Sequence, residues 1–554
     1  MMRKRRKRFV DPVKLIKGLV ESKDWRIREN ANITYSFSNV FFRAAGEVVT
    51  RYMLSHVYPK EIAHAHMDGD IHIHNLYMGL TGYCCGWDLK SILFRGLVGV
   101  GGRITSKPPQ HLNTALHQVV NFVGMIQNEW SGAQAFNSLD TLMAPFIRKD
   151  GLNYEQIKQA LQEFIFGLNV TARWGGQSPF TNVTIDLKVP EDLAKEPVVV
   201  GGKLLNDTYA DYQEEMDLIN RAFLEVMIEG DGVGRPFTFP IPTYNITKDF
   251  DWDSENSNLL FEMTAKYGLP YFSNFVNSDL KPSDIRSMCC HLRLDLRKLH
   301  RNITGGLFGS GTSTGSIGVV TINMPRIGYL SKDDDEFFER LERLMYLAKQ
   351  SLEIKRKLVQ ENMDKGLLPF TKVYLGTLKN HFSTIGLVGM NEACLNFLGE
   401  SIATKEGKNF AIKVLKFMRN LLIEYQQETG NLYNLEATPA EGTCYRLARI
   451  DKMKYPEIIT AGEKVPYYTN STHLPVGYTD DLFWALKHQE DLQKLYTGGT
   501  VFHVFLGESL NNGHETGLLV KKIVENFSIP YFTITPTFSI CPNHGYLKGA
   551  QRTC

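Results

Sequence analysis

The sequence predicts an α/β fold in which buried strands pair in parallel and helices pack outside them. Short apolar runs punctuated by glycine, at Ile317–Met324, Ile385–Met390, Thr500–Leu506 and Ile529–Ile540, read as strands buried on both faces. Amphipathic helical stretches alternate with them. Neither an internal repeat nor a low-complexity linker breaks the chain, so one continuous core is expected. A length of 554 residues would alone suggest roughly three or four domains, yet one large α/β barrel can absorb most of it.

Taken in order, the chain opens on MMRKRRKRFV, six basic residues in the first eight, without the apolar stretch of a secretory signal. A solvated arm is the expected state of this segment, and the net charge of +2 gives no sign of an extended surface for nucleic acid. No run of about eighteen uncharged apolar residues points to a membrane. From Leu112 to Gln134 an amphipathic helix is predicted, with Leu116, Val119, Val120, Val123 and Ile126 on its stripe. The segment GGLFGSGTSTGSIG (305–318) is predicted to be a loop of tight turns or close approaches, and it lacks the lysine of a phosphate-binding loop. Ser331 and Asp333 offer capping side chains to a helix in which Phe337, Leu341, Leu344, Met345, Ala348 and Leu352 recur at helical spacing.

Eight cysteines are too few for a disulfide scaffold and fit a reducing, cytoplasmic setting. Two pairs are adjacent, Cys84-Cys85 and Cys289-Cys290. Neighbours in a strand point to opposite faces, so at most one of each pair can face a given site. Cys394 and Cys444 are expected to be buried thiols acting as small hydrophobes. Cys541-x-x-His544, with Cys554 ten residues on, has zinc-like spacing, its fourth ligand expected beyond the end. His72-Ile73-His74 invites a metal reading too, but a hydrogen-bonded loop is the expectation there.

Several strings, in one order, carry a family resemblance. ENANITYSFSNVFFRAAGEVVTRY (29–52), DGDIHIHNL (68–76) and GYCCGWDLKSIL (82–93) resemble the N-terminal part of anaerobic, class III ribonucleoside-triphosphate reductases. RSMCCHLRLDL (286–296) and TGSIGVVTINMPRIGYL (314–330) are similar to that family's finger-loop region, GLVGMNEA (386–393) and NLEATPAEGTCYRLARID (434–451) to its later barrel segments, and TPTFSICPNHGYLKG (535–549) to the opening of its zinc module. The resemblance implies a ten-stranded α/β barrel of two five-stranded parallel halves, with outer helices and an internal finger loop. It divides the chain into a catalytic barrel with an N-terminal helical region (1–530) and the start of a C-terminal zinc and glycyl-radical module (531–554). The family's radical glycine lies in an RVxGY-like motif that these residues do not contain, so the chain through Cys554 is expected to be inactive by itself.

The same resemblance implies the chemistry. A ribose 2′-hydroxyl leaves readily only once the neighbouring 3′ carbon is a radical, and a cysteine thiyl held close to it in a dry site can make that radical. The family's MGCRSFL string places the thiyl at Cys290, with Cys289 as a spare thiol, and its N-C-x-x-x-D-L pattern places the opposing thiol at Cys84 rather than Cys85. Glu436 is the expected proton shuttle. Ser316 stands where formate users carry asparagine, so the expected reductant is a thioredoxin- or glutaredoxin-type dithiol. Thr438 and Thr443, at a turn entering a helix, are expected to hold the substrate phosphates, while Gln177, Ser178 and Asn182 line the ribose pocket. Cys541, His544 and Cys554 are the implied zinc ligands. A radical-SAM, iron–sulfur activase, dNTP or ATP effectors and a second copy of the chain complete the implied partners. Two readings stand against this one: another glycyl-radical enzyme acting on a small molecule, and a non-catalytic nucleotide-binding module.

Overall fold

The computed structural model describes residues 11–21, 36–278, 281–287, 293–295, 313–438, 441–510, 512–541 and 545–551. Among these, the central sheet has eleven strands, ten along its main path and one short strand, Ile71–Ile73, paired on its flank. The first five are β1 (Cys84–Gly86), β2 (Gln134–Phe136), β3 (Thr181–Ile185), β4 (Ile241–Ile246) and β5 (Tyr271–Asn274). The second five are β6 (Thr314–Asn323), β7 (His381–Val388), β8 (Leu432–Glu436), β9 (Phe502–Phe505) and β10 (Tyr531–Thr535). Within each set, neighbours in sequence that pair do so in parallel. The two sets meet antiparallel at β1–β6 and at β5–β10. A parallel bridge from Glu436 to Gly499, with Ala437 N–H donating to Gly499 O at 2.9 Å, joins β8 to the approach to β9 and closes the barrel. This is the expected barrel of two parallel halves.

Strand composition explains the burial. All ten positions of β6 (TGSIGVVTIN) and all eight of β7 (HFSTIGLV) are buried, as parallel strands covered on both faces must be. Outside the sheet, helices cover one face: Val183, Ile185, Tyr244, Ile246, Phe272 and Phe532 join one core, and Val320, Ile322, Ile385, Leu387, Tyr433 and Leu435 another. The intervening positions point inward. Helix α2 (Asp334–Asp364) follows helix α1 (Leu112–Ile126) in this outer layer and begins as expected, Asp333 accepting from Glu336 N–H at 2.9 Å. Ser331 instead closes the preceding helix, its hydroxyl donating to Ile327 O.

Several expectations need correction. The helix predicted to reach Gln134 stops at Ile126. Glu129 turns away to accept the N–H groups of Phe370 and Thr371, Trp130 donates to the Thr371 hydroxyl, and the chain then enters β2. Residues 305–312 of the glycine-rich segment lie outside the described residues, and from Thr314 onward the chain is strand rather than loop. Gly315 there lies so close to the Cys84 carbonyl that a Cβ would overlap it, so the glycine serves sheet packing rather than a turn. The run Ile529–Ile540 splits at Pro536: Tyr531–Thr535 belongs to the barrel, and Phe538–Cys541 pairs with Gly545–Lys548 in a separate hairpin. Among the described residues no helix is long and apolar enough to cross a membrane.

Candidate active site

Side chains alternate across a strand, so the outer cores identify by exclusion what faces the barrel interior. On β8, Tyr433 and Leu435 pack outward, leaving Leu432, Asn434 and Glu436 inside. On β3 and β4 the same logic puts Asn182, Thr184, Thr243 and Asn245 inside. On β7 it leaves Phe382, Thr384 and Gly386. The interior is thus largely polar, although nearly all of it is buried. Buried polar groups without partners are costly, so such a lining points to something that binds there.

At the β1–β6 seam the two adjacent cysteines part. Cys84 faces inward with Ala133, Ala135 and Phe382, and its Sγ accepts Ala133 N–H at 3.2 Å. Cys85 joins the outer core, its Sγ 3.5 Å from His381 Nε2. Burial pushes the Cys85 thiol well above its usual range. Burial and the nearby Arg356 cation pull His381 down to about 3, so no base activates that thiol. Ser316 is the register partner of Cys84 across the seam. Its hydroxyl bonds Thr384 Oγ1 at 2.8 Å and donates to Gly318 O.

Two inward positions along β8 from Leu432 stands Glu436, 0% exposed. Thr438, just past β8, is 2% exposed, and its hydroxyl has no hydrogen-bond partner among the described residues. Thr443 is buried in the first turn of helix α3 (Glu441–Lys454), near that helix's N-terminal N–H groups. Gln177 and Ser178 form the turn into β3. Arg173 N–H donates to Gln177 O and the Ser178 hydroxyl to Asn169 O, while Asn182 on β3 leaves its Oδ1 unpartnered among the described residues. Because the halves run antiparallel, the start of β3 and the end of β8 open at the same mouth.

Sequence reasoning missed Asn434. Its amide packs against Gly498 and has no hydrogen-bond partner on either atom among the described residues. The period-two signal was available, since Asn434 and Glu436 are two apart on one strand. His72-Ile73-His74 is an edge strand (Ile71–Ile73) on β6 rather than a loop. His74 Nε2 bonds the Thr321 hydroxyl, and no group of three or more His, Cys, Asp or Glu among the described residues could hold a metal. Cys394 and Cys444 are buried thiols, pointing to Gly407 O and Asn470 Oδ1.

Cys289 and Cys290 lie outside the described residues, as do His544 and Cys554. Cys541 ends a strand, but its side chain is also outside what is described. What is described around the first pair is a short antiparallel hairpin, Ile285–Ser287 with Arg293–Asp295, in the connection from β5 to β6. Pro282, Ser283 and Ile285 line a small cavity with Thr184 and Asn245, at the barrel's other mouth.

Comparison with known proteins places this geometry. A family model described as anaerobic ribonucleoside-triphosphate reductase matches residues 29–554. The anaerobic ribonucleoside-triphosphate reductase of Enterobacteria phage T4 is 25% identical, over 90% of this chain and 85% of that protein. The Escherichia coli (strain K12) protein of the same name is 25% identical over 96% and 77% respectively. The fold also matches the crystal structure of the anaerobic ribonucleotide reductase from Thermotoga maritima in complex with dATP and CTP, with a TM-score of 0.77 and 24% identity over 97% of this chain and 88% of that one.

Proposed function

We infer the roles of these residues from one premise: the chain belongs to the anaerobic ribonucleoside-triphosphate reductase family, and its reaction is the anaerobic reduction of ribonucleotides to 2′-deoxyribonucleotides. The observation that carries the reading is Cys84, which stands on the inner face of a closed barrel while its neighbour Cys85 packs into the outer core. The β5–β6 connection, which contains Cys290, starts at the opposite mouth and offers a route for a second thiol to the same interior.

In this reading a glycyl radical, as in the family, would supply the one-electron oxidation that turns a cysteine into a hydrogen-atom abstractor. Cys290 takes the hydrogen atom from the substrate's 3′ carbon, with Cys289 as its alternative or as the partner thiol of Cys84. Glu436 gives the proton with which the 2′-hydroxyl leaves as water, a task for which a carboxyl kept from bulk water is suited. Cys84 delivers a hydrogen atom to the 2′ carbon, Cys289 as the partner thiol bonds to the Cys84 sulfur, passing one electron to the sugar and its proton back to Glu436, and Cys290 returns a hydrogen atom to the 3′ carbon. In sum one C–O bond becomes a C–H bond, water forms, and two thiols become a disulfide. A thioredoxin- or glutaredoxin-type dithiol then reduces that disulfide. Support for the dithiol is that the Ser316 hydroxyl is already engaged by Thr384 and Gly318, leaving no free donor for formate.

Thr438, Thr443 and the first turn of α3 receive the substrate phosphates, and Gln177, Ser178 and Asn182 border the ribose. Cys541, His544 and Cys554 are the candidate zinc ligands. Supporting this, the described strands Phe538–Cys541 and Gly545–Lys548 pair antiparallel, with Cys541 opposite Gly545. Effector nucleotides, a radical-SAM activase, a homodimer and a cytoplasmic setting belong to the same proposal.

The test uses the intact enzyme, charged by its activase without oxygen. CTP is converted to dCTP with a reduced thioredoxin-type protein, and Cys290→Ala abolishes product while CTP binding persists, since only the reacting group is lost. Undiminished turnover in that variant would exclude Cys290, and turnover on formate alone would exclude the dithiol.

A further inference from the structure

The mouth at the ends of β6, β7 and β8 holds a cation for which the described residues supply no counter-charge. Arg446, one turn into α3, donates to the carbonyl of His66 and directs Nη1 at His72 Nδ1 from 3.3 Å. No carboxylate pairs with it among the described residues. Burial and a second cation, Arg326, lower its pKa to about 10. Arg326 shows the contrast: it is bonded to both Asp451 and Asp70. Beside Arg446 the rings of His66, His72 and His74 follow one another at 5.2 and 4.6 Å. Burial holds His66 near 3 and His72 well below its usual value, so these rings add hydrogen-bonding atoms rather than charge.

This cluster connects to the inner row. His74 Nε2 bonds the Thr321 hydroxyl at 2.8 Å, Thr321 is the register partner of Gly386, and the Thr438 hydroxyl lies directly over Gly386. That hydroxyl is nine-tenths buried and has no partner among the described residues. Arg446 follows Thr443 by three residues on α3, so a phosphate chain laid on Thr438 and Thr443 would have a half-buried guanidinium on the same side of the helix. A buried charge without a partner is unfavourable, and a bound anion relieves it. Guanidinium suits phosphate, through forked charge-assisted hydrogen bonds.

We propose that Arg446, with His72 beside it, receives the terminal phosphate of a nucleoside triphosphate and so sets the preference for triphosphate over diphosphate substrates. This rests on the reading that the inner phosphates sit at Thr438 and Thr443. The experiment is equilibrium binding of CTP and of CDP to the 554-residue chain, as wild type, Arg446→Gln and Arg446→Lys. Arg446→Gln is expected to weaken CTP by about tenfold to a hundredfold and to leave CDP within about twofold. Arg446→Lys, which keeps the charge, is expected to restore most of the preference. Equal weakening of CTP and CDP, as a structural role for Arg446 would give, overturns the assignment, and so does no weakening of either or a lysine variant no better than glutamine. A wild-type chain that binds neither nucleotide overturns the phosphate reading itself and this assignment with it.

Discussion

Glu436 is fully buried on the inner side of its strand, and that burial is what the sequence could not supply. In LEATP it looks like any carboxylate before a turn. Only the alternation of Tyr433 and Leu435 into the outer core turns Glu436 inward, and only barrel closure at Gly499 covers it. Glu436→Gln keeps the shape and removes the proton. Turnover by the activated enzyme is expected to fall on the order of 10²- to 10⁴-fold, with CTP affinity unchanged. A variant that turns over at the wild-type rate would remove Glu436 from the chemistry. The cysteines were more legible. That one of Cys84 and Cys85 must face inward follows from strand geometry, whereas which one does depends on neighbours hundreds of residues away, Phe382 on the inside and His381 on the outside.

At the level of elements, the ends of β3 and β4 are tied by a pair of buried carboxyls. Asp140 accepts the N–H groups of Asp186 and Leu187 and the amide of Asn220, fixing the turn after β3, where Leu187 has φ of +62°. Asp186 accepts from the Thr141 hydroxyl and from Asn245 on β4. Burial first, and then the charge of Asp140, push Asp186 up to about 8. The unfolded chain releases this proton near pH 4, whereas the folded one keeps it, so the contribution is complete below about pH 4 and is lost as pH rises towards 8. Asp186→Asn cannot titrate. Thermal unfolding between pH 5 and pH 9 is therefore expected to show a smaller loss of stability with rising pH in the variant than in wild type, and parallel profiles would contradict the assignment.

The elements also show where sequence patterns mislead. Helix α2 was readable because its cap and stripe are local. Helix α1 ends early because Glu129 and Trp130 bond to a segment some 240 residues away. Gly315 reads as a loop former, yet its lack of a side chain serves the contact between β6 and β1. β7 starts at His381, four residues before the apolar run, because Arg356 donates to His381 O and Ser383 Oγ and lets polar residues be buried. Each error has the same source, a long-range partner that overrides a local preference.

For the whole molecule, composition and alternation give α/β with parallel strands, but nothing local states that ten strands close on themselves. Closure depends on two antiparallel seams and one bridge, all between distant segments. Its consequence is a polar, buried interior open to a mouth where α3 begins and to another where the β5–β6 connection starts. On the proposed reading, the substrate phosphates would enter from one side and a second thiol from the other, with water kept from the middle.

The central claim is that the reaction takes place on the inner face of this barrel, and the neighbouring cysteines test it directly. Deoxynucleotide formation from CTP is measured anaerobically with the activated enzyme as wild type, Cys84→Ala and Cys85→Ala, with CTP binding followed in parallel. Cys84→Ala is expected to bind CTP normally and make no dCTP. Cys85→Ala is expected to lose stability on the order of 1 kcal/mol from the small cavity left behind and to turn over at close to the wild-type rate. Loss of product in Cys85→Ala, with turnover retained in Cys84→Ala, would contradict the account.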